Sequence, residues 1–405
     1  MTEFYSKELM AIYYKKLFPF DLLTSWIIYD KKIDEDKLNK REISFTLEGD
    51  IFLRYQSFKS VQNFKDEVTK VVPIKLDIGA VYTASPKLHR SLISPSYKPI
   101  SRELVFDIDL TDYDDIRFCC GSQNPNSKTF VCSLCWKLAK NAVVVLDRAL
   151  KEDFGFKHLL WIFSGRRGVH CWIGDREARN LDSNIRSCIV DYLSLAKAAG
   201  RKGASSSFYN HPFVEKSLAL LNNRFLDYIK TKNGQNIFGR KEGLDLVIKL
   251  LPKEMSKEAE IIRGLGDKSS DSDDVSLKRW KAIRQFLESE NRHDIVKEII
   301  LFFSFPRLDA NVTTGMNHLL KSPFCVHPKT GQICVPFLAE NVDKFSLESV
   351  PTLPRVLDEL AKNTENLHPY KKTSMREGIE IFEEFVDAVT RGEEAHLLSK
   401  VTIEY

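Results

Sequence analysis

Two aspartates, Asp107 and Asp109, sit inside the apolar run Leu104-Val105-Phe106-Asp107-Ile108-Asp109-Leu110. Aromatic and β-branched residues in such a run predict a buried strand. Alternate side chains of a strand share a face, so the two carboxylates emerge side by side. Adjacent carboxylates repel, and a shared cation relieves the conflict; an oxygen-only ligand set suits Mg²⁺ or Mn²⁺. An isolated Asp-x-Asp is also found solvated at a strand end, so the residues downstream must decide.

Downstream lie Cys119-Cys120 and, beyond a loop, Cys132-Ser133-Leu134-Cys135. A Cys-x-x-Cys at the start of a helix is the usual half of a tetrahedral zinc site, and the adjacent cysteines supply a less common second half. Four thiolates leave no open position, so a zinc ion there is expected to be structural. Cys171, Cys188, Cys325 and Cys334 stand alone and are expected to be buried packing residues.

Next comes Ser164-Gly165-Arg166-Arg167-Gly168-Val169-His170. Two arginines between glycines, in a turn between strands, suit close approach of phosphate oxygens, which guanidinium groups bind bidentately. A third group follows near the end of the chain. Arg307-Leu308-Asp309 brings another carboxylate, and Lys321 and His327 bring further donors. Three carboxylates can hold two divalent ions ~4 Å apart, which would activate an attacking hydroxyl and stabilise a leaving phosphate. The surplus of cationic side chains beyond such metals favours a nucleoside triphosphate over a diester backbone. A metal-dependent nuclease and a non-catalytic, zinc-containing nucleic-acid-binding module remain as alternatives.

The elements that must position these residues can be read in outline. Helices are expected over Glu8–Leu17 and Phe20–Tyr29, and a β-hairpin over Arg41–Tyr55 with Gly49 at its turn. Strands are expected over Ile74–Tyr82 and around Asp107. A helix follows over Cys132–Leu150, then a strand pair over Lys157–Phe163 and Val169–Ile173, then a long helix over Leu181–Ala199. From about 200 to 300 the chain is rich in Lys, Glu and Leu and nearly free of strand signals. That texture suggests a helical insertion (201–299) with a polar, acidic loop near 266–274. Strand and turn character returns at Arg307–Asp309 and Phe324–Pro336, and the last stretch, including Glu377–Val389, reads as helical. The expected class is a mixed α/β fold, with a catalytic part from 1–200 and 300–405 whose pieces one sheet brings together.

Composition sets the outer bounds. The 405 residues suffice for two or three packed units. No apolar run approaches the ~20 residues of a membrane span, and the first residues lack a signal-peptide pattern, so an intracellular protein without a membrane role is expected. Eight cysteines in such a chain argue for thiols or metal ligands over disulfides. With 60 basic and 56 acidic residues, the net charge of +4 is compatible with a polyanionic partner but does not demand one.

Taken in order, the motifs resemble those of the small catalytic subunit of eukaryotic DNA primase, within the archaeal and eukaryotic primase superfamily. The resemblance runs over nearly the whole chain: Tyr13–Pro19, Arg41–Phe45, Arg54–Phe58, Val105–Asp109, the paired cysteines, Ser164–His170, Pro306–Asp309, His318–Phe324 and Val326–Pro328. It implies DNA-templated synthesis of short RNA primers from ribonucleoside triphosphates, with Asp107, Asp109 and Asp309 as the metal-binding triad. Ser164, Arg166, Arg167, His170, Lys321 and His327 match the family's triphosphate contacts, and Asp77 falls where a group lies near the ribose 2′-hydroxyl. Arg54, Glu42 and Arg307 fall in the active-site surroundings. Cys119, Cys120, Cys132 and Cys135 match a structural zinc knuckle, although the loop between Cys120 and Cys132 is longer than in animal members. The family also implies a large regulatory primase subunit as partner, the replicative DNA polymerase alpha complex, a single-stranded DNA template, an RNA primer and nuclear residence.

Overall fold

The computed structural model describes residues 6–32, 34–92, 96–120, 131–194, 209–265, 274–363 and 366–403. They divide into two units. The first takes Met1–Asp107, Phe156–Cys188 and Asp309–Tyr405; the second takes Ile108–Gly155 and Ile189–Leu308. The expected acidic loop falls largely outside the described residues, as does the loop from Gly121 to Phe130. The helical stretch expected at 201–299 is grouped with Ile108–Gly155 instead of forming a unit of its own.

In chain order the strands are β1 (Arg41–Leu47), β2 (Ile51–Gln56), β3 (Lys75–Tyr82), β4 (Pro99–Ser101), β5 (Leu104–Asp109), β6 (Leu159–Phe163), β7 (Gly168–Ile173), β8 (Leu320–Lys321) and β9 (Pro336–Phe337). They form two sheets in a mixed α/β fold, where the sequence suggested one. The first sheet has the order β2-β1-β3-β4, with β8 also pairing with β3; the second has the order β5-β7-β6-β9. The β1–β2 hairpin turns through Gly49 at φ +79° and Asp50 at φ +58°. Glycine adopts that left-handed conformation without strain, and aspartate is among the few other residues that tolerate it. β6 and β7 pair antiparallel with Phe163 opposite Val169, which turns the chain over at Ser164–Arg167.

Helices pack around these sheets in the first unit. Lys7–Lys16 starts at Ser6, whose hydroxyl accepts the Leu9 N–H, and Phe20–Ile28 ends at Tyr29 in the left-handed conformation. Trp26 meets Trp172 edge-on at 5.1 Å and Phe382 at 5.6 Å, and Phe382 meets Phe324 at 5.4 Å. Tyr13 closes the set by donating its hydroxyl proton to the Phe324 carbonyl at 2.8 Å. Such aromatic pairs contribute about 0.5–1.5 kcal/mol each beyond their area. They join the first, middle and last segments of the chain.

The second unit is helical. Ser133–Glu152, Pro212–Ile229, Lys241–Leu250, Ser256–Gly264, Val275–Ser289 and His293–Ser304 are its main helices. Phe225, Phe238 and Trp280 form its aromatic centre, with ring centroids 5.0–6.3 Å apart. Asp274 caps Val275–Ser289 by accepting the Leu277 N–H, and also accepts from Thr231. Apart from the end of β5, its described residues contain no named strand.

Local expectations shift at several points. The helix expected over Leu181–Ala199 runs from Ser183 to Leu193, and 195–199 lie outside the described residues. Arg307–Asp309 is irregular chain entering a short helix, Ala310–Thr314, and no strand forms there. Asp309 caps that helix, which favours a turn over an extended run. Cys188 is exposed, whereas Cys171, Cys325 and Cys334 are buried as expected. Its place on the solvent side of an amphipathic helix accounts for the difference.

Candidate active site

β5 carries Asp107 and Asp109 on one face, and the division between the two units falls just after Asp107. Within the first unit the Asp309 N–H donates to the Asp107 carbonyl at 3.3 Å, which brings the two aspartates together across the fold. Asp109 accepts the Thr111 N–H at 2.9 Å and Asp309 the Asn311 N–H at 3.0 Å, so each is held by its own turn. His170 on β7 places Nε2 3.6 Å from Asp107 Oδ1. That is beyond a hydrogen bond. Burial, with Lys321 and Lys75 nearby, pushes the His170 imidazole down to about 3, so it is a neutral neighbour of Asp107 and not its ion-pair partner. Hard carboxylate oxygens with donors on one side are a donor set that fits Mg²⁺ or Mn²⁺.

The turn between β6 and β7 is built to sit close to something. The Ser164 N–H donates to the Gly168 carbonyl at 2.9 Å, and its Oγ accepts the Gly168 N–H at 3.0 Å, leaving the hydroxyl proton to donate elsewhere. Gly165 has φ +88°, and a Cβ there would meet His327 Cβ at 2.8 Å and Cys334 Sγ at 3.0 Å. Only glycine fits. Lys321 on β8 donates to the Ser164 carbonyl at 3.0 Å, and Thr330 donates to the Gly165 carbonyl at 2.7 Å. His327 Nδ1 accepts the Lys329 N–H at 3.2 Å, so its neutral ring carries the proton on Nε2 and can donate from there. Burial first, then Lys321, Arg166, Arg167 and Lys329, pushes His327 down to about 3. Lys321, through its bond to the Ser164 carbonyl, stands beside the turn that bears Arg166 and Arg167.

Asp77 on β3 lies in register with Lys321 and is almost fully buried, with Lys75 Nζ 3.0 Å from its Oδ1. Burial raises its carboxyl above the ordinary range even though Lys75 and Lys321 oppose the shift. Glu42 on β1 is fully buried and accepts from Arg54 Nε at 3.0 Å, Arg54 Nη2 at 3.2 Å and the Tyr82 hydroxyl at 3.0 Å. It thereby fixes the guanidinium of Arg54, which also reaches the Asn317 carbonyl at 3.1 Å. Arg307 belongs to the second unit. It is engaged by both carboxylate oxygens of Asp115 and by the Asp112 carbonyl at 2.6 Å, and it lies over the Tyr113 ring. Asp115 accounts for its charge.

Cys119, Cys120, Cys132 and Cys135 come together in the second unit, with all four sulfurs within 4.8 Å of one another. The Cys119–Cys120, Cys120–Cys135 and Cys132–Cys135 sulfur distances are 3.9, 3.8 and 3.9 Å. Those are too long for disulfides, whose sulfurs lie ~2.05 Å apart. They match the ~3.8 Å edge of a tetrahedron of thiolates at ~2.3 Å from a central zinc. Burial and the neighbouring Cys119 push the Cys120 thiol up to about 12, so crowded sulfurs need a cation before they can all ionise. The cluster could bind zinc.

A family profile described as DNA primase small subunit matches residues 106–338. The DNA primase small subunit of Drosophila melanogaster is 36% identical over 96% of this chain and 92% of its own length. Those of Schizosaccharomyces pombe and Saccharomyces cerevisiae are 38% and 32% identical over 89% and 95% of this chain, and 79% and 92% of their own lengths. The chain belongs to the DNA primase small-subunit family. Within that family fold, Asp107, Asp309, Ser164, Arg166, Arg167, His170, Lys321, His327, Asp77, Glu42 and Arg54 all fall in the first unit, and Asp109, Arg307 and the four cysteines in the second.

Sequence reading passed over the supports of this primase-family site. Arg41 donates from Nη1 at 3.0 Å and Nη2 at 2.6 Å to the two oxygens of Glu103, and the Tyr29 hydroxyl donates to the same carboxylate at 2.6 Å. Glu103 immediately precedes β5. Burial alone would raise its carboxyl, yet the Arg41 guanidinium holds it at about 2. Arg186 donates to the Arg102 and Glu103 carbonyls at 2.6 and 3.0 Å, and Arg102 to the Val312 and Gly315 carbonyls, both at 2.8 Å. These arginines tie the start of β5 to the helix that Asp309 caps. Charged residues of this kind read as surface in a sequence, and only their partners reveal them.

The two strongly depressed histidines, His170 and His327, give a pH dependence. Unfolded histidine takes a proton below about 6.5, whereas the folded rings refuse it until about 3. Between those values the unfolded state binds more protons, so stability falls as pH falls, by at most about 1.4 kcal/mol per pH unit for each ring. Urea unfolding at pH 7.5 and 5.5 should show the loss, and His327→Gln should show a shallower one. An undiminished slope in that variant would assign the dependence to other groups.

Proposed function

We propose that this chain synthesises short RNA primers on single-stranded DNA from ribonucleoside triphosphates. The observation that carries the reading is the packing of Lys321 and His327 against the Ser164–Gly168 turn that bears Arg166 and Arg167, in the unit that holds Asp107 and Asp309. A triphosphate is a ligand that such a cluster of cationic side chains suits, and the relatives' name points the same way. The 3′-hydroxyl of one nucleotide attacks the α-phosphorus of the next; the bond to the bridging oxygen breaks and pyrophosphate leaves. Asp107, Asp109 and Asp309 would hold divalent ions, which supply charge neutralisation and ease loss of the hydroxyl proton. Arg166, Arg167 and Lys321 offset charge on the β- and γ-phosphates, and Ser164 and His327 donate hydrogen bonds to them. Asp77 faces the ribose 2′-hydroxyl, which favours ribonucleotides, and Glu42 holds Arg54 ready at the rim. The four cysteines hold a structural zinc.

The name small subunit implies a larger one, and we assign this chain a heterodimer with a regulatory primase subunit, handing primers to a replicative polymerase in the nucleus. The test is synthesis on single-stranded DNA with labelled ribonucleotides and Mg²⁺ or Mn²⁺, with and without the large subunit. Labelled RNA is expected, and Arg166→Ala should raise the apparent KM for nucleotide more than it lowers kcat. Degradation of the template would favour the nuclease. No chemistry even with the large subunit would leave a binding module.

A further inference from the structure

Two residues before the paired cysteines lies Arg117, almost wholly buried at 1% exposure. Its Nη1 donates to Cys135 Sγ at 3.4 Å, while Nε donates to Asp114 Oδ1 at 3.1 Å and Nη2 reaches the same oxygen. Cys135 is the one buried member of the cluster, the other three being partly exposed. Its sulfur also accepts the Cys132 N–H at 3.3 Å. The residues of the other three sulfurs stand partly open to solvent, while Cys135 draws on donors of the protein.

The chain on both sides of Arg117 is held from the helical part of the same unit. Tyr228, at the end of Pro212–Ile229, donates its hydroxyl proton to the Ile116 carbonyl at 2.9 Å. Gln235 Oε1 accepts the Phe118 N–H at 2.7 Å. Both side chains are buried. Together they fix the peptide groups that set where the guanidinium points.

We infer that Arg117 is the built-in counter-charge of a four-thiolate metal centre, a positioning residue held in place by Tyr228 and Gln235. This rests on the reading of the cysteine cluster as a metal site. A divalent ion with four thiolates carries a net charge of minus two, and burying such a group calls for compensating positive charge and hydrogen bonds. Arg117 brings both to the sulfur of the one buried cysteine of the four. Pairing with Asp114 does not explain the burial, because Asp114 is open to solvent, with 38% of its side chain exposed. The inference also gives part of the helical stretch a task, since residues 228–235 act as the brace of the metal loop.

The test measures release of zinc, not enzyme activity. Metal content of the purified wild-type chain is determined by mass spectrometry, and loss of zinc to a chromogenic chelator is followed for wild type, Arg117→Met, Arg117→Gln, Arg117→Lys and Asp114→Asn. Arg117→Met should release zinc about 10- to 100-fold faster, the usual cost of removing a partner of a metal ligand. Arg117→Gln keeps a donor and removes the charge, so it should also release faster; Arg117→Lys keeps the charge and should lie nearer wild type. Asp114→Asn should behave as wild type. If Arg117→Met does not fold, Arg117→Gln decides. Release from the arginine variants at the wild-type rate, or equal acceleration in Asp114→Asn, would overturn the inference. A wild-type chain that holds no metal would instead overturn the reading of the cluster.

Discussion

Asp309→Asn is expected to lower primer synthesis by roughly 10³-fold, a loss of several kcal/mol of charge stabilisation in the transition state. The reason for choosing asparagine is structural. Asp309 accepts the Asn311 N–H at the start of Ala310–Thr314, and asparagine caps a helix about as well as aspartate. The substitution therefore removes the charge and keeps the turn, and the unfolding midpoint should move by no more than about 2 °C. The same argument covers Asp109→Asn, since Asp109 accepts the Thr111 N–H in the same way. The measurements are primer synthesis with saturating nucleotide and a thermal unfolding curve on the same preparation. Retained synthesis would remove Asp309 from the metal triad. Lost synthesis with a large fall in midpoint would make it a structural residue.

Glu103→Gln is expected to have the largest effect on stability. Arg41 and Glu103 are 1% and 0% exposed in their side chains and share two hydrogen bonds. Glutamine fills the same space but leaves the Arg41 guanidinium buried without a counter-charge, which typically costs about 3–5 kcal/mol. For a unit of this size that corresponds to a fall in unfolding midpoint on the order of 10 °C. The pair itself contributes much less than this, because both charges had to leave water. Arg41→Met combined with Glu103→Met should therefore recover much of the loss. A single variant that unfolds like the wild type would show that Arg41 finds other compensation. With Glu103 held at about 2 against 4.5 in the unfolded chain, its contribution is present above about pH 4.5 and is lost as pH falls toward 2.

What could be read from the sequence was what depends on neighbours in the chain. Alternation around Asp107, the Gly49 hairpin, the Ser164–Gly168 turn and the spacing Cys132–Cys135 all state their local geometry, and their elements formed within a few residues of expectation. Features set by distant partners were not legible. Lys321 lies on a two-residue strand too short to show a pattern, yet its register opposite Asp77 helps build the cationic surface. Arg307 sits next to a motif and looks like part of it, while its side chain is taken by Asp115. Arg41, Arg102 and Arg186 are charged residues that the fold spends on carbonyls and one carboxylate in the interior. The carboxylates thus stood out in the sequence, and the fold alone showed what holds them.

The first unit is assembled from three separated lengths of chain, and that has a bearing on how a ribosome can make it. The hydrogen bond from Tyr13 to Phe324 joins residues 311 apart, and Trp26 waits for Phe382. Lys321 and His327 cannot take their places beside Ser164 and Gly165 until the last quarter of the chain has emerged. The helical unit, complete by Leu308, has no such wait. Synthesis from the N-terminus would therefore finish the cysteine-cluster unit first, while the edge of β3 at Asp77 and Ile78 awaits β8. Nascent chains stalled before residue 320 should carry a formed cysteine cluster and lack Lys321 and His327 beside the Ser164–Gly168 turn. A truncated product would then lack Lys321 and His327, two of the groups proposed to hold a nucleotide.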